Sequence, residues 1–123
     1  MADAPINCTP HDIHVMPESG AAIVYKRTEH NVRLLSEPQT SLGLLADGTP
    51  VWTAQVCTGI SPLPPGGAPI IVSMPVGEYL RARAALTSGA IGRMVLGPDS
   101  SPGGSVRKDG VIVGTRRLVL YCK

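Results

Sequence analysis

The chain has 123 residues, a length typical of one domain, and 43% of them are hydrophobic, so it can bury a core. No apolar run approaches the roughly 18 residues that a membrane helix needs. The first five residues lack the basic and apolar regions of a secretory signal. The sequence therefore predicts a single β-rich domain over residues 1–123, located in the cytoplasm and without a membrane partner.

The net charge of +2 conceals an asymmetry along the chain. Residues 1–80 carry three basic and seven acidic side chains, whereas residues 81–123 carry eight basic and two acidic ones. A basic half raises the local concentration of anions, whether these are nucleotides, nucleic acid or acidic protein surfaces. Only 3% of the residues are aromatic, which disfavours the row of stacking platforms that single-stranded nucleic acid needs. We therefore do not expect nucleic acid as a partner.

The three cysteines are far apart and form no CxxC pair. In a reducing compartment Cys8, Cys57 and Cys122 are best interpreted as small buried apolar residues. A metal site built from Cys8, His11 and His14 is the alternative, but it lacks a second ligand pair of recognised spacing. The sequence predicts neither a metal nor a cofactor.

Short strands punctuated by turns dominate the first half of the chain. A turn at residues 7–11 leads into residues 12–16, where Ile13 and Val15 are predicted to point inward and His14 outward. Further short strands up to Leu35 suggest an N-terminal meander. Asp47-Gly48 between apolar runs predicts a β-hairpin, in which Trp52 is expected to be buried or half-buried.

One helix and a second hairpin are predicted in the other half. Residues 70–73 form a short apolar run typical of a buried strand. A helix is expected at about 75–88, with Ser73 as its N-cap, Gly89 at its end, and Leu80 and Leu86 toward one face. Another hairpin turns at Asp109-Gly110, and residues 118–121 close the sheet. The predicted class is α+β, a mainly antiparallel β-sheet of short strands and hairpins with one principal helix.

Catalytic signals are weak, whereas one constellation suits a phosphate-bearing ligand. No GxSxG, P-loop or HExxH motif is present. The Gly/Ser-rich loop from Asp99 to Gly104 precedes Arg107, Lys108, Arg116 and Arg117, and arginine forks and loop N–H groups both match phosphate. Strand alternation sends Arg116 and Arg117 to opposite faces, so only one of them is expected to join the cluster. The alternative is a solvated loop beside an ordinary charged hairpin.

Three stretches in the same order resemble a family of small proteins common in phage and prophage genomes. Residues 7–11 (NCTPH) are similar to the family's Asn-Leu-Thr-Pro-His opening. The middle of the chain, at residues 48–51, 58–62 and 71–73, resembles its hairpin, proline-bearing connection and "YIVS" strand. Residues 97–99 and 107–114 resemble its C-terminal loop and "RDxxGxIxG" hairpin. The chain departs from the family at Cys8, where leucine is usual, and at the inserted Lys108.

The resemblance implies a phage-borne accessory protein acting in the cytoplasm of the host bacterium. The size and β-rich pattern also resemble anti-Thoeris sponge proteins, which sequester cyclic ADP-ribose signals and assemble as homo-oligomers. This implies non-enzymatic binding of a small phosphorylated nucleotide, with Arg107 and Asp99 as contributors. Asn7, Thr9 and His11 would then shape the edge of a pocket, although this turn can also be purely structural.

Two other functions remain open at this stage. The first is a structural or protein-interaction component of a phage or prophage, which would bind a specific protein and no small ligand. The second is a small hydrolase, which the missing nucleophile and metal motifs disfavour.

Overall fold

The computed structural model describes residues 4–87 and 91–123. In this part of the chain, twelve short strands and one helix form mixed and antiparallel sheets. The elements are β1 (Ile6–Asn7), β2 (Ile13–Val15), β3 (Ile23–Tyr25), β4 (Leu34–Ser36), β5 (Ser41–Leu44), β6 (Pro50–Trp52), β7 (Cys57–Ile60), β8 (Ile70–Ile71), α1 (Met74–Thr87), β9 (Val95–Pro98), β10 (Ser105–Lys108), β11 (Val111–Thr115) and β12 (Leu118–Cys122). The predicted α+β class, mostly sheet with one principal helix, is confirmed.

A four-stranded central sheet holds the core, in the order β1-β8-β9-β12. β8 pairs in parallel with both β1 and β9, and β12 pairs antiparallel with β9. Ile70 and Ile71 on β8 have no exposed surface, which confirms the predicted buried strand. A strand between two neighbours and covered on both faces needs apolar residues at successive positions, and this explains the unbroken run.

The helix packs on this sheet through one narrow stripe. Val76 and Leu80, one turn apart, are buried in the core cluster with Val95. The prediction for Leu86 is wrong, because this side chain is 83% exposed. Six residues beyond Leu80, it has rotated well away from the buried stripe. The helix end predicted at Gly89 lies outside the described residues.

A second four-stranded sheet has the order β10-β11-β2-β3. The predicted hairpin at Asp109-Gly110 is confirmed, with φ angles of 54° and 81° at these two residues. Positive φ at both central positions is what a two-residue type I′ turn requires. β11 joins β2 in parallel through Thr115 and Val15. The turn at residues 7–11 therefore connects a strand of the central sheet to a strand of this one.

Residues 34–60 form a two-stranded antiparallel ribbon, called the ribbon below. β4 pairs with β7 at its base and β5 pairs with β6 nearer its tip. The predicted turn at Asp47-Gly48 closes it, with Gly48 at a φ of 89°. No residue from 35 to 58 is buried. The prediction of a buried or half-buried Trp52 is wrong, since its side chain lies on the ribbon and is 56% exposed.

Two further sequence predictions are corrected. The N-terminal strands do not form a meander, because β1 pairs with β8 and β4 pairs with β7, and only β2 and β3 are neighbours in both chain and sheet. Of the cysteines, Cys8 is fully buried as predicted, Cys122 is half-buried, and Cys57 is exposed at the start of β7. Cys57 is exposed because it belongs to the ribbon rather than to the core.

Candidate functional site

A cavity of about 310 Å³ lies where the two four-stranded sheets meet, and we call it the seam cavity. Its walls come from residues 11–14, 98–100, 105 and 112–115. These are the start of β2, the end of β9 and both strands of the β10–β11 hairpin. Ile13, Ile112 and Val113 make much of the wall apolar, with His11 and His14 beside them. Its volume is near the lower end of the range of about 300–1,000 Å³ for small-molecule sites.

The turn that leads to the cavity is fixed by the buried side chain of Asn7. Its Nδ2 donates to the carbonyl oxygens of His11, at 2.7 Å, and Tyr25, at 2.8 Å. Its Oδ1 accepts from the backbone N–H of Thr9, at 3.0 Å, and from the Thr9 hydroxyl, at 2.7 Å. Asn7 and Thr9 are 1% and 5% exposed. The Asn7 and Thr9 side chains are therefore occupied by hydrogen bonds within the fold, while His11 is one of the residues that line the cavity.

Asp12 adds a negative charge to the same wall. Its Oδ1 accepts a hydrogen bond of 2.8 Å from the backbone N–H of Arg27. This bond lowers the pKa of the Asp12 carboxyl, and the nearby charges of Lys26 and Arg27 act in the same direction. The carboxylate is therefore ionised at neutral pH.

The opposite wall is built around Asp99 and Thr115. The Asp99 carboxylate accepts from the Ser101 backbone N–H, at 3.0 Å, and from Arg117 Nε, at 2.8 Å. Hydrogen bonding from Ser101, followed by that from Arg117, lowers the pKa of Asp99. The Thr115 hydroxyl lies 2.8–3.0 Å from the carbonyl oxygens of Asp99, Gly104 and Arg117. Asp99 thus lines the cavity but already has partners within the chain.

Ser105 lies in the wall between these two networks. Its hydroxyl oxygen is buried and has no hydrogen-bond partner among the residues that the structure describes. Buried hydroxyls in folded proteins are normally paired. Among the described residues that line the cavity, only Ser105 has a buried side-chain polar atom without a hydrogen-bond partner.

The two arginines predicted to bind a ligand lie away from the seam cavity. Arg107 is exposed on β10, with its Nη1 3.5 Å from the Gly110 carbonyl oxygen, and it does not line the cavity. Arg116 donates from Nη1 to the Met16 carbonyl oxygen, at 3.2 Å. It lines a separate depression of about 240 Å³ with Arg117 and residues 17–19. The predicted strand alternation of Arg116 and Arg117 does not apply, because both residues lie between β11 and β12 and both line this depression. Their hydrogen-bond partners differ, since Arg117 donates to Asp99.

Of the residues that line the seam cavity, the sequence pointed to only His11 and Asp99 as ligand-binding residues. His14 was assigned a surface role, and Ile112, Val113 and Ser105 were assigned to an ordinary hairpin. The available signal was local, since two of the three histidines of the chain, His11 and His14, lie three positions apart in and just before β2. The contribution of the hairpin could not be found, because it depends on the parallel contact of β11 with β2.

The described residues contain no group of three or more His, Cys, Asp or Glu side chains that could hold a metal ion. No helix in the same part of the chain is long and apolar enough to cross a membrane. In comparisons with known proteins, no family model, curated protein or solved structure matches the chain.

Proposed function

We propose that the chain binds a small phosphorylated nucleotide in the seam cavity and holds it without turnover. The observation that carries this proposal is that both buried side-chain networks, around Asn7 and around Asp99, end at the walls of one cavity. Side chains and loops fixed in this way preorganise a binding site, because little ordering remains to be done when the ligand enters.

The chemistry of the walls suits the parts of a nucleotide. A base or ribose carbon surface packs against Ile13, Ile112 and Val113, and the Asp12 carboxylate accepts from ribose hydroxyls. The imidazoles of His11 and His14 donate to phosphate oxygens. The volume of the cavity holds one nucleoside, so the phosphates of a larger ligand extend toward its mouth.

The resemblance to phage accessory and sponge proteins restricts the class of ligand and the biological role that we propose. It supports a cyclic ADP-ribose type of signal, sequestered as a phage counter-defence measure in the cytoplasm of the host bacterium, by a homo-oligomer. Arg107 and Arg116 stay in the proposal as contacts for phosphates that leave the mouth of the cavity. The absence of a recognisable nucleophile motif favours binding over hydrolysis.

The test is a thermal shift of the purified protein against cyclic ADP-ribose isomers and cyclic oligonucleotides, followed by chromatography of the released compound. We expect one compound to raise the melting temperature and to be recovered intact. The double variant His11→Ala/His14→Ala should lose the shift, whereas His30→Ala, whose histidine contacts Glu29 instead, should keep it. Arg107→Ala separately tests the phosphate contact. No shift with any compound would refute the nucleotide proposal, and altered product would indicate an enzyme.

A protein-interaction role is the second candidate, and the ribbon is the observation that favours it. Exposed apolar side chains over a contiguous surface mark interaction sites more often than they mark ligand sites. This role predicts a protein complex whose formation is unaffected by the His11→Ala/His14→Ala substitutions. Measuring assembly of that double variant therefore separates the two functions.

A further inference from the structure

Arg116 and Arg117 lie side by side at the separate depression of about 240 Å³, which we call the arginine depression. Both belong to the short link between β11 and β12. The rest of the lining comes from residues 17–19 and from Gly103, which is part of the Gly/Ser-rich loop. None of these residues lines the seam cavity. The arginine depression is therefore a second concave surface, distinct from the proposed nucleotide site.

The backbone of the two arginines is held by the Gly/Ser-rich loop. The N–H of Arg116 donates to the Gly104 carbonyl oxygen, at 2.6 Å, and the N–H of Asp99 donates to the Arg117 carbonyl oxygen, at 3.1 Å. The loop is itself closed by a hydrogen bond of 2.9 Å from the Gly104 N–H to the Ser101 carbonyl oxygen. Because the loop and the arginines are already tied together, little backbone ordering remains when a ligand binds.

Each guanidinium is anchored through one nitrogen and leaves most of its donors unused. Arg116 donates from Nη1 to the Met16 carbonyl oxygen, at 3.2 Å, and Arg117 donates from Nε to the Asp99 carboxylate, at 2.8 Å. Neither side chain makes another hydrogen bond within the part of the chain that the structure describes. A guanidinium carries five N–H donors in a planar fork, so each arginine keeps several donors for a ligand.

The lining of the arginine depression carries a net positive charge. Asp99 balances Arg117 from outside the lining, whereas no carboxylate of the described residues lies within ion-pair distance of Arg116. Glu18 also lines the depression, but it is exposed and forms no ion pair with either arginine. Two guanidiniums beside one carboxylate attract anions, and the surrounding basic third of the chain acts in the same direction.

We propose that the arginine depression binds a phosphate group, either as free phosphate or as a phosphomonoester. Arginine forks match the oxygens of phosphate in pairs, and these hydrogen bonds are strengthened by charge. A phosphate offers oxygens in several directions and up to two negative charges, so it can occupy both arginines at once. A carboxylate offers two oxygens in one plane and a single charge, which one fork already satisfies.

The inference goes beyond the proposed function. There Arg116 contacts the phosphates of a nucleotide, whereas here Arg116 and Arg117 hold a phosphate whether or not a nucleoside fills the seam cavity. The His11→Ala/His14→Ala double variant alters the seam cavity alone and should bind phosphate as the unmodified chain does. Phosphate binding by that variant therefore separates failure of this inference from failure of the nucleotide proposal.

The experiment titrates the full chain with inorganic phosphate and, separately, with methyl phosphate, at neutral pH and constant ionic strength. Two-dimensional NMR follows the backbone amide signals of residues 18, 19, 103, 116 and 117, which line the depression. We expect these signals to shift together with a dissociation constant of about 1 mM or less. Acetate should bind more weakly, because it carries a single charge. Tighter binding of methyl phosphate would assign the site to phosphomonoesters, and tighter binding of inorganic phosphate to the free ion.

Arg116→Gln should raise the dissociation constant for phosphate about tenfold. Arg33→Gln is the matched control, since Arg33 is an exposed arginine that also has no ion pair among the described residues and lies outside the depression. It should change the dissociation constant by less than about twofold. Glu18→Gln removes a repelling charge and should lower the dissociation constant by about twofold to threefold.

Circular dichroism checks that each variant is folded. The absence of binding up to about 10 mM phosphate would overturn the proposal. Equal dissociation constants for the unmodified chain and Arg116→Gln would also overturn it. So would a loss in Arg33→Gln as large as that in Arg116→Gln, because it would show attraction by overall charge rather than by a site.

Discussion

The seam cavity and the ribbon differ in which side chains they bury and which they expose. Around the cavity, polar side chains such as Asn7 and Thr115 are buried and almost fully hydrogen-bonded. In the ribbon, apolar side chains such as Leu44 and Trp52 are exposed. Buried polar groups are costly unless every partner is in place, so they fix one geometry, whereas exposed apolar groups gain free energy only when something covers them. The cavity walls are therefore fixed by hydrogen bonds within one chain, whereas the apolar side chains of the ribbon are left exposed by it.

The largest effect should come from Asn7, whose buried side-chain amide makes four hydrogen bonds. Asn7→Ala removes the donor to the Tyr25 carbonyl oxygen and the acceptor of the Thr9 N–H, and it leaves the His11 carbonyl oxygen with only the Thr9 hydroxyl, at 2.8 Å. We expect a loss of about 3–4 kcal/mol in the free energy of unfolding, measured in urea. The exposed Asn31→Ala is the control and should cost under about 0.5 kcal/mol. A loss for Asn7→Ala as small as that of the control would show that the turn is not a stabilising element.

Gly104 should rank next, because a Cβ at this position would collide with the Asp99 carboxyl group. Asp99 is held by Ser101 and Arg117 and cannot move aside without losing these hydrogen bonds. Gly104→Ala is expected to destabilise the fold by about 2–3 kcal/mol. Gly103→Ala, where a Cβ meets nothing within 4 Å, is the neighbouring control and should be close to neutral in the same urea titration. Equal effects at the two glycines would contradict the close packing around Asp99.

Substituting one threonine in the cavity wall and one in the ribbon compares the two regions directly. Thr115→Val keeps the side-chain volume but removes the hydroxyl, whose one hydrogen lies within reach of the carbonyl oxygens of Asp99, Gly104 and Arg117, and it should cost about 1–2 kcal/mol. Thr53→Val removes a hydroxyl that accepts only from the exposed Thr40 N–H in the ribbon. We expect it to cost under about 0.5 kcal/mol at concentrations where the chain is monomeric. The comparison fails if the ribbon threonine costs as much as the buried one.

The smallest effect concerns acid stability. The pKa of Asp99 is lowered in the folded state, chiefly by Ser101, so its stabilising contribution is present above the unfolded pKa of about 4 and disappears as the pH falls through the folded value. Asp99→Asn should therefore flatten the loss of melting temperature below about pH 4. Asp47 in the ribbon turn also has a lowered pKa, owing to Thr49. Since that bond holds only a turn, Asp47→Asn should change the acid profile less, and a larger change than for Asp99→Asn would refute the assignment.

Local chemistry predicted the parts of the fold that depend on neighbouring residues. Both Asp-Gly hairpins and the buried strand at Ile70 and Ile71 were visible in the sequence, because turn residues and short apolar runs act over a few positions. The parallel pairing of β8 with β1 and β9 was not, since it joins segments more than twenty residues apart. Neither turn chemistry nor periodicity carries information over that distance.

The candidate site was predicted in outline but not in its walls. The segment from Asn7 to His11 was selected, and the structure places His11 at the seam cavity and uses Asn7 to hold the turn. Arg107 was predicted to bind a ligand because of its charge, but its side chain is exposed on β10 near the Gly110 carbonyl oxygen and does not line the seam cavity. Charge alone does not reveal which way a hairpin faces, and Ile112 and Val113 give no signal of a binding wall in a sequence rich in such residues.

The order of the pairings along the chain has a consequence for synthesis on the ribosome. The ribbon is complete once residue 60 has emerged, because all its partners are local. In the central sheet, β1 cannot pair until β8 has been synthesised, and β8 cannot pair with β9 until β9 has been synthesised. The last strand of the sheet, β12, ends only at Cys122. The apolar ribbon is therefore formed and displayed on the nascent chain before the central sheet can close.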